Sequence, residues 1–402
     1  MNIDERIREH IAHAYENAPA IRRIMDNAGV SPDDIQSAAD LSKIPITTKD
    51  QLVQMHEENP PFGGFLAVDP GTLPRIYISP GPIYDPQPPG EETGAAVLEA
   101  LESVGFSPGD RVINTFMYHL TPAGLGLDEA LQAIGCTVIP TGPGNTDLQI
   151  KIALDLEVSG FVGAPSYLGI ILDRMDEMGI PRAHIPITKA LFTTEPYTLS
   201  QRARFEGEYR MRIVSAYGTA DLGLFGYTRE GVEGFCLVNT VYAETVDPDS
   251  GEPTAPGEIG KLVITTFNKG YPLIRFGTGD LAKVAADPHP DCSGQQLLGL
   301  YGRSGIAVKV RGMFLHPNQL QQAIAQIPEI SQAQAIVTRP ESSDVVTLLV
   351  ELNPGYQKVD ITEQVKTAIR ETARLRIDEV IFVDTGVIEA EARMVRDDRT
   401  WE

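Results

Sequence analysis

Arg111-Val-Ile-Asn-Thr-Phe116 and Thr137-Val-Ile-Pro140 are short apolar runs with a helical segment between them near 122–134. The pattern continues through Ser159-Gly-Phe-Val-Gly163 and Lys189-Ala-Leu-Phe-Thr193, with further helical segments near 90–104, 146–157 and 166–178. Apolar runs of strand length that alternate with helices predict a mostly parallel sheet with helices covering it. The fold class is therefore α/β. From about residue 219 the texture changes. Gly and Pro punctuate short β-rich runs at 241–246 and 258–266, the pattern of an antiparallel or barrel-like subdomain.

Upstream, residues 3–28 read as one amphipathic helix closed by Gly29, and 40–50 as a connection into a helix capped by Thr47 or Thr48. The last hundred residues read as a separate small α+β domain. Helices are expected at 317–327 and 361–374, and strands at 334–338, 345–352 and 379–383, in an order of ferredoxin-like type. The expected division is a large domain over 1–302, with its β-rich part at about 219–302, and a C-terminal domain over 303–402.

A chain of 402 residues exceeds what one compact core holds, which agrees with that division. Its 33 basic and 55 acidic residues give a formal charge of −22. Such a surface opposes electrostatic binding to nucleic acid or to an anionic membrane, so neither is an expected partner. The charged start, Met1-Asn-Ile-Asp-Glu-Arg6, is unlike a signal peptide, and no apolar stretch approaches a membrane span, so the expected location is the cytoplasm. Cys136, Cys236 and Cys292 are odd in number and far apart, and no disulfide framework is expected. His289 and Cys292 have metal-ligand spacing but no second pair, and Cys292 reads as a loop cysteine.

The most chemically informative stretch is Tyr271-Pro-Leu-Ile-Arg-Phe-Gly-Thr-Gly-Asp280, followed by Gly302-Arg-Ser-Gly305 and Lys309-Val-Arg-Gly312. A carboxylate on a glycine turn can hold a pair of ribose hydroxyls, and neighbouring cations can hold phosphate. Asp280 can equally close its own turn, Tyr217 can be core, Arg303 can be a structural ion pair, and His119 beside Tyr118 can be a structural histidine.

Several segments in one order carry a family resemblance. They are Leu41-Ser-Lys-Ile-Pro-Ile-Thr-Thr-Lys49, Leu131-Gln-Ala-Ile-Gly135 running on to Thr146, Ala164-Pro-Ser-Tyr167, Thr194-Glu-Pro-Tyr197, Ala216-Tyr-Gly-Thr-Ala-Asp221, Gly257-Glu-Ile-Gly260, Thr278-Gly-Asp280 and Gly302-Arg303. Together they resemble phenylacetate–coenzyme A ligases of the adenylate-forming superfamily. The resemblance implies ATP-dependent activation of an aromatic or apolar carboxylic acid as acyl-AMP, then transfer to the thiol of coenzyme A. ATP/AMP, Mg²⁺ and coenzyme A are the implied cofactors, and a homodimer is left open.

By resemblance, Asp280 would hold the ribose hydroxyls, Arg303 would lie near ribose and phosphate, and Tyr217 would stack on adenine within Ala216, Gly218 and Thr219. Glu195 and Pro196 would line the adenine side. Asp221 would face Mg²⁺ or the α-phosphate as a catalytic and metal-side residue. Tyr118, His119, Ala164, Pro165, Ser166 and Tyr167 would border the acyl pocket. The C-terminal domain would act as a mobile lid.

Three segments depart from the family pattern. The phosphate loop aligns with Tyr77-Ile-Ser-Pro-Gly-Pro-Ile-Tyr-Asp-Pro86, whose prolines lack amide donors and which has no lysine, while Asp85 adds negative charge. Ser79 and Gly81 remain for a close approach to phosphate. The hinge aspartates are replaced by Gly305-Ile306. The C-terminal catalytic lysine aligns with Glu391, leaving Arg393 or Lys309 as its substitute. Two other readings stay open. One is a relative that passes an acyl group to an amine or carrier protein, and the other is a non-catalytic nucleotide- or acyl-binding protein.

Overall fold

A computed structural model of the chain describes residues 2–79, 83–89, 92–247, 250–303, 308–311, 313–315, 317–340, 343–356, 361–373, 375–389 and 392–399. It divides into two compact units, one of Met1–Tyr197 with Gln201–Ser304 and one of Gly305–Glu402 with Thr198–Ser200. Both are mixtures of helix and sheet, and the chain has an α/β fold.

The first unit opens with α1 (Ile3–Asn17) and α2 (Pro19–Asn27) in place of the single helix expected over 3–28. Ala18 is extended (φ −107°, ψ 102°) and Pro19 starts the second helix, because the residue before a proline is driven out of the helical region. The two-residue strand β1 (Thr47–Thr48) leads into α3 (Lys49–Glu58), which Thr48 caps through the Gln51 N–H. A hairpin of β2 (Arg75–Ser79) and β3 (Ile83–Gln87) precedes α4 (Glu92–Val104).

The alternating region follows as β4 (Arg111–Asn114), α5 (Pro122–Ile134), β5 (Thr137–Ile139), α6 (Thr146–Asp155), β6 (Gly160–Gly163), α7 (Pro165–Glu177) and β7 (Lys189–Phe192). These strands pair in parallel, in the order β7-β6-β4-β5. Their alternate residues feed two cores. Val112, Val162 and Leu191 pack with α4 and α5 on one face, and Ile113, Phe161 and Phe192 pack with α6 and α7 on the other. Burial on both faces is why these strands read as continuous apolar runs.

After the short helix α8 (Leu199–Arg202), the long strand β8 (Arg212–Thr219) changes the sheet's character. Its first half pairs in parallel with β7 and its second half antiparallel with β9 (Gly223–Tyr227). Strands β10 (Phe235–Leu237), β11 (Val241–Val246), β12 (Gly260–Thr266), β13 (Phe276–Val284) and β14 (Gln296–Arg303) then extend the same ladder in the order β9-β10-β14-β13-β12-β11. The β-rich residues therefore continue the first sheet through β8. Strand β1 adds to β13 in parallel, pairing Thr47 with Phe276 and Thr48 with Gly277.

Cys236 and Cys292 form a disulfide, which corrects the expectation of no such bond. They are 56 positions apart in sequence, and the pairing of β10 with β14, which sets Cys236 opposite Gln296, brings them together. Cys292 is therefore not a free thiolate for a metal, and among the described residues no group of three or more His, Cys, Asp or Glu side chains is arranged to hold one. No described helix is long and apolar enough to cross a membrane.

The second unit contains a hairpin of β15 (Val308–Val310) and β16 (Met313–Leu315), then α9 (Pro317–Ala325), β17 (Ile330–Thr338), β18 (Val345–Leu352), α10 (Thr362–Ala373), β19 (Glu379–Val383) and β20 (Val395–Asp397). Its sheet runs β19-β18-β17-β20. The C-terminal strand β20 pairs in parallel with β17 at the edge of this sheet, and β19 pairs directly with β18. The tail is not a purely solvated charged end. Arg399 is buried against Asp344 at 3.1 Å, and Asp344 also receives Arg339 at 3.0 Å.

Candidate functional site

The site is built on β13, where Gly279 has φ +79° and interrupts the regular strand. The Thr278 hydroxyl accepts the Asp280 N–H at 3.2 Å, so Thr278 closes the turn. The partly buried Asp280 carboxylate accepts the Tyr217 hydroxyl through its Oδ2 at 2.6 Å. Register sets Asp280 directly opposite Arg303 of β14.

Tyr217 lies on β8, four ladder steps from β13. A flat sheet would separate those strands by roughly 19 Å, at about 4.8 Å per step. A direct side-chain hydrogen bond requires the sheet to curl strongly here, in a barrel-like manner. The Tyr217 ring is held edge-on against Phe225 at 4.9 Å and tilted against Phe235 at 5.7 Å. The next residue must be glycine, because a Cβ on Gly218 would lie 2.3 Å from the Gly223 carbonyl oxygen. The Thr219 hydroxyl accepts the Leu222 N–H at 3.2 Å, closing the turn that presents Asp221.

Asp221 forms an ion pair with Lys49, the first residue of α3. Pairing of β1 with β13 brings Lys49 to this place. Asp85 of β3 is half-buried nearby, and burial, followed by repulsion from Asp221, pushes its carboxyl well above the usual range while Lys49 opposes the shift. The Tyr271 hydroxyl is raised in the same way by burial and by Asp85 and Asp221. It bonds His56 Nε2 at 2.8 Å, and burial with the nearby Lys49 lowers His56 to about 4. Lys49, Asp85, Asp221, Tyr271 and His56 thus form one electrostatic neighbourhood.

Ala164 precedes α7 without a capping side chain, and Glu195 supplies one from outside by accepting the Ser166 N–H at 2.7 Å. A carboxylate at a helix N-terminus is favourable both as an acceptor and against the helix dipole. This bond draws 164–167 and 194–197 together. Thr194, at φ +80°, is in a conformation unusual for a non-glycine residue, and it aims the chain into Glu195 and Pro196.

Tyr167 turns toward the loop before α6, donating to the Gly144 carbonyl or Gln149 Oε1 at 3.1 and 2.8 Å. Tyr118 donates to Asp128 of α5 at 2.7 Å, and burial with Asp128 raises its hydroxyl. His119 is exposed on the following loop.

Tyr217, Asp280 and the backbone of Arg303 are brought together as one group, Asp221 with Lys49 as a second, and Glu195 with Ser166 as a third. Arg275, one of the cations of the 271–280 tract, is not available to phosphate. It is 2% exposed and braces the core through Glu244 and the carbonyls of Ser42 and Ile44. Ser79, Arg303 and Lys309 are described by their backbone. Gly81, Glu391, Gly305, Ile306 and Gly312 lie outside the described residues. Lys309 and Arg393 belong to the second unit, where Arg393 is exposed and its carbonyl accepts Gln334 at 2.7 Å. Lys49 is the residue that the sequence reading missed. It stood inside the quoted segment Leu41–Lys49, but nothing local linked it to Asp221, 172 positions away.

No family model matches the chain. The chain is 30% identical over 414 residues to a phenylacetate–coenzyme A ligase of Aromatoleum evansii, covering 97% of this chain and 92% of that one. It is 30% identical over 402 residues to the enzyme of that name from Escherichia coli K12, covering 96% and 89%. Among solved structures, 2-hydroxyisobutyryl-CoA ligase, in complex with its acyl-AMP and CoA, superposes with a TM-score of 0.88 at 21% identity, covering 99% of this chain and 89% of that one. That likeness shows the fold. With identity sustained across nearly the full length of both proteins, the chain belongs to the phenylacetate–coenzyme A ligase family.

Proposed function

We propose that this protein activates an aromatic or similarly apolar carboxylic acid with ATP and passes the acyl group to coenzyme A. In the first step a carboxylate oxygen attacks the α-phosphorus, forming acyl-AMP and releasing pyrophosphate. In the second the thiol sulfur attacks the acyl carbon, and AMP leaves with the bonding pair. The observation that carries the reading is the Tyr217–Asp280 bond opposite Arg303, an aromatic face and a fixed carboxylate suited to adenine and a ribose diol.

In this reading Tyr217 stacks on the base, with Ala216, Gly218 and Thr219 shaping its edge, and Asp280 accepts from the ribose hydroxyls. Glu195 and Pro196 close the adenine side. Ser79 and Gly81 approach phosphate through their backbone. Lys49 presents a positive charge to the reacting carboxylate and phosphate, and Arg303, Lys309 and Arg393 are further cations for the charge that develops there. Asp221 is an oxygen donor suited to Mg²⁺, which would neutralise phosphate charge when bound with the nucleotide. Tyr118, His119, Ala164, Pro165, Ser166 and Tyr167 border the acyl side. Residues 1–302 form the adenylate-binding domain and 303–402 the lid.

A second reading, acyl transfer to an amine or carrier protein, is favoured by one observation. The segment Pro80-Gly-Pro82 and Glu391 lack the donors and the cation expected for triphosphate chemistry. Incubation with ATP, Mg²⁺, coenzyme A and a panel of aryl and alkyl acids decides between them. Acyl-CoA and AMP in equal amounts support the first reading. No AMP from ATP, together with consumption of supplied acyl-AMP by an amine or a carrier protein, supports the second.

A further inference from the structure

Strands β4, β5 and β6 are parallel and end side by side, so the loops that follow them gather at one edge of the sheet. In an open α/β sheet, ligands bind beyond the carboxyl ends of the strands. The loop after β5, Thr141-Gly-Pro-Gly-Asn145, has little of its own to hold it. Pro143 lacks an N–H, and Gly142, Gly144 and Asn145 have φ of +65°, +85° and +58°, values that belong to neither strand nor right-handed helix. What fixes this loop must come from its neighbours.

Two buried amide side chains supply the ties. Asn114, the last residue of β4, donates to the Gly124 carbonyl of α5 at 2.8 Å and accepts the Phe116 N–H at 3.1 Å. Its own carbonyl accepts the Gly142 N–H at 3.1 Å and the Thr141 hydroxyl at 3.2 Å. Gln149 of α6 is 1% exposed, so its amide has only protein partners to use. Its Nε2 donates to the Gly142 carbonyl at 2.8 Å and to the Thr141 hydroxyl at 3.1 Å, and its Oε1 accepts the Tyr167 hydroxyl at 2.8 Å. The Tyr167 ring packs on the core shared by α6, α7 and the sheet, which makes its hydroxyl a fixed point. A buried amide paired at both ends rigidifies the groups that it joins. Gln149 therefore sets the 141–145 loop against the first turn of α7.

We propose that Gln149 is a positioning residue that sets the size of the acid accepted, acting through Gly142 and Tyr167 and not by contact with the substrate. This rests on the adenylation reading above, which puts the acyl group beside Tyr118, His119 and residues 164–167. Without the Gln149 amide, the Gly142 carbonyl and the Tyr167 hydroxyl each lose a buried partner, and the spacing between loop and helix is no longer held. A fixed apolar wall separates acids that differ by one methylene about 10- to 200-fold, and a loosened one gives up that discrimination first.

The test uses the full chain and follows acid-dependent exchange of labelled pyrophosphate into ATP with benzoic, phenylacetic, 3-phenylpropionic and hexanoic acids, with calorimetric AMP binding beside it. Gln149→Leu keeps the approximate volume and cannot make the bonds. It should raise KM for the acid that the parent prefers tenfold or more, and cut the preference between acids one methylene apart at least fivefold. Both kcat and AMP affinity should change less than threefold. Tyr167→Phe keeps the ring, removes the hydroxyl that meets Gln149, and should shift the preference in the same direction. The double variant should lose little more than Gln149→Leu, as expected of two partners in one bond. If thermal melting shows that Gln149→Leu does not fold, Tyr167→Phe decides alone. An equal fall in kcat/KM for every acid, with the preference kept, would overturn the proposal and leave Gln149 as a structural amide only. So would fully additive losses, or a parent that uses all four acids alike. A parent that shows exchange with none of a broad acid panel overturns the adenylation reading and this inference with it.

Discussion

The Tyr217 hydroxyl bonds Asp280 Oδ2 at 2.6 Å although the two residues lie on strands four ladder steps apart. The curl of the sheet that this requires brings an aromatic ring and a carboxylate to one place, which the proposed function takes as one half of a nucleoside pocket. The bond also fixes the Asp280 side chain before any ligand arrives. Asp280→Ala should therefore weaken AMP binding by about 1–3 kcal/mol, roughly five- to 150-fold. Tyr217→Phe keeps the ring and loses only the hydroxyl, and should cost about 0.5–1.5 kcal/mol. Calorimetric titration with AMP measures both. A Tyr217→Phe loss as large as that of Asp280→Ala would mean that the hydroxyl, not the carboxylate, holds the ribose.

Lys49 offers a separation of binding from chemistry. If its charge serves the reacting groups, Lys49→Met should lower the rate of acyl-AMP formation by about a hundredfold or more, in line with the loss of one preorganised electrostatic contact. If AMP affinity rests mainly on Tyr217 and Asp280, it should stay within a few-fold. Single-turnover kinetics with ATP and acid distinguish this from a binding defect. Equal losses in both quantities would assign Lys49 to nucleotide binding instead.

The sequence revealed most where a residue's neighbours along the chain determine its place. The runs around Val112, Phe161 and Leu191 are buried on both faces, so their apolar character is visible without the structure. The glycine turn before Asp280 was legible because glycine demands are local, whereas the meeting of Asp280 with Tyr217 was not. Long-range pairings were not legible. Lys49 meets Asp221 through the docking of β1 on β13, and Cys236 meets Cys292 through the arrangement of the second half of the sheet. The last strand was not among those expected, for a different reason. Strand β20 buries only Val395 and exposes Arg396 and Asp397, so its pattern resembles a charged coil.

The disulfide should be detectable chemically. Under denaturing, non-reducing conditions iodoacetamide should modify Cys136 alone among the three cysteines, and all three after reduction. Closing a loop of this length contributes about 4 kcal/mol in the chain-entropy account, so Cys236→Ser should lower the melting temperature of the oxidised protein. Three reactive thiols without reductant, or identical melting of the variant and the parent, would count against the bond.

Burial, with Lys49 nearby, lowers His56 to about 4 in the folded protein, below the ordinary value of 6.5. The unfolded chain then binds the proton first. The stability contributed by the neutral ring is complete above about pH 6.5 and is lost as pH falls toward 4. His56→Gln should flatten the fall in denaturant stability across that window by an amount on the order of 3 kcal/mol. The same slope in variant and parent would show that His56 is not held neutral.

This family member should carry out acid-dependent adenylation despite its proline-rich segment at 80–86 and the glutamate at position 391. Exchange of labelled pyrophosphate into ATP, with Mg²⁺ and without coenzyme A, tests it most directly. Exchange that depends on an aromatic or similarly apolar acid, and that is lost in Lys49→Met, is the predicted result. No exchange with any acid of a broad panel, from protein that still binds AMP, would contradict it.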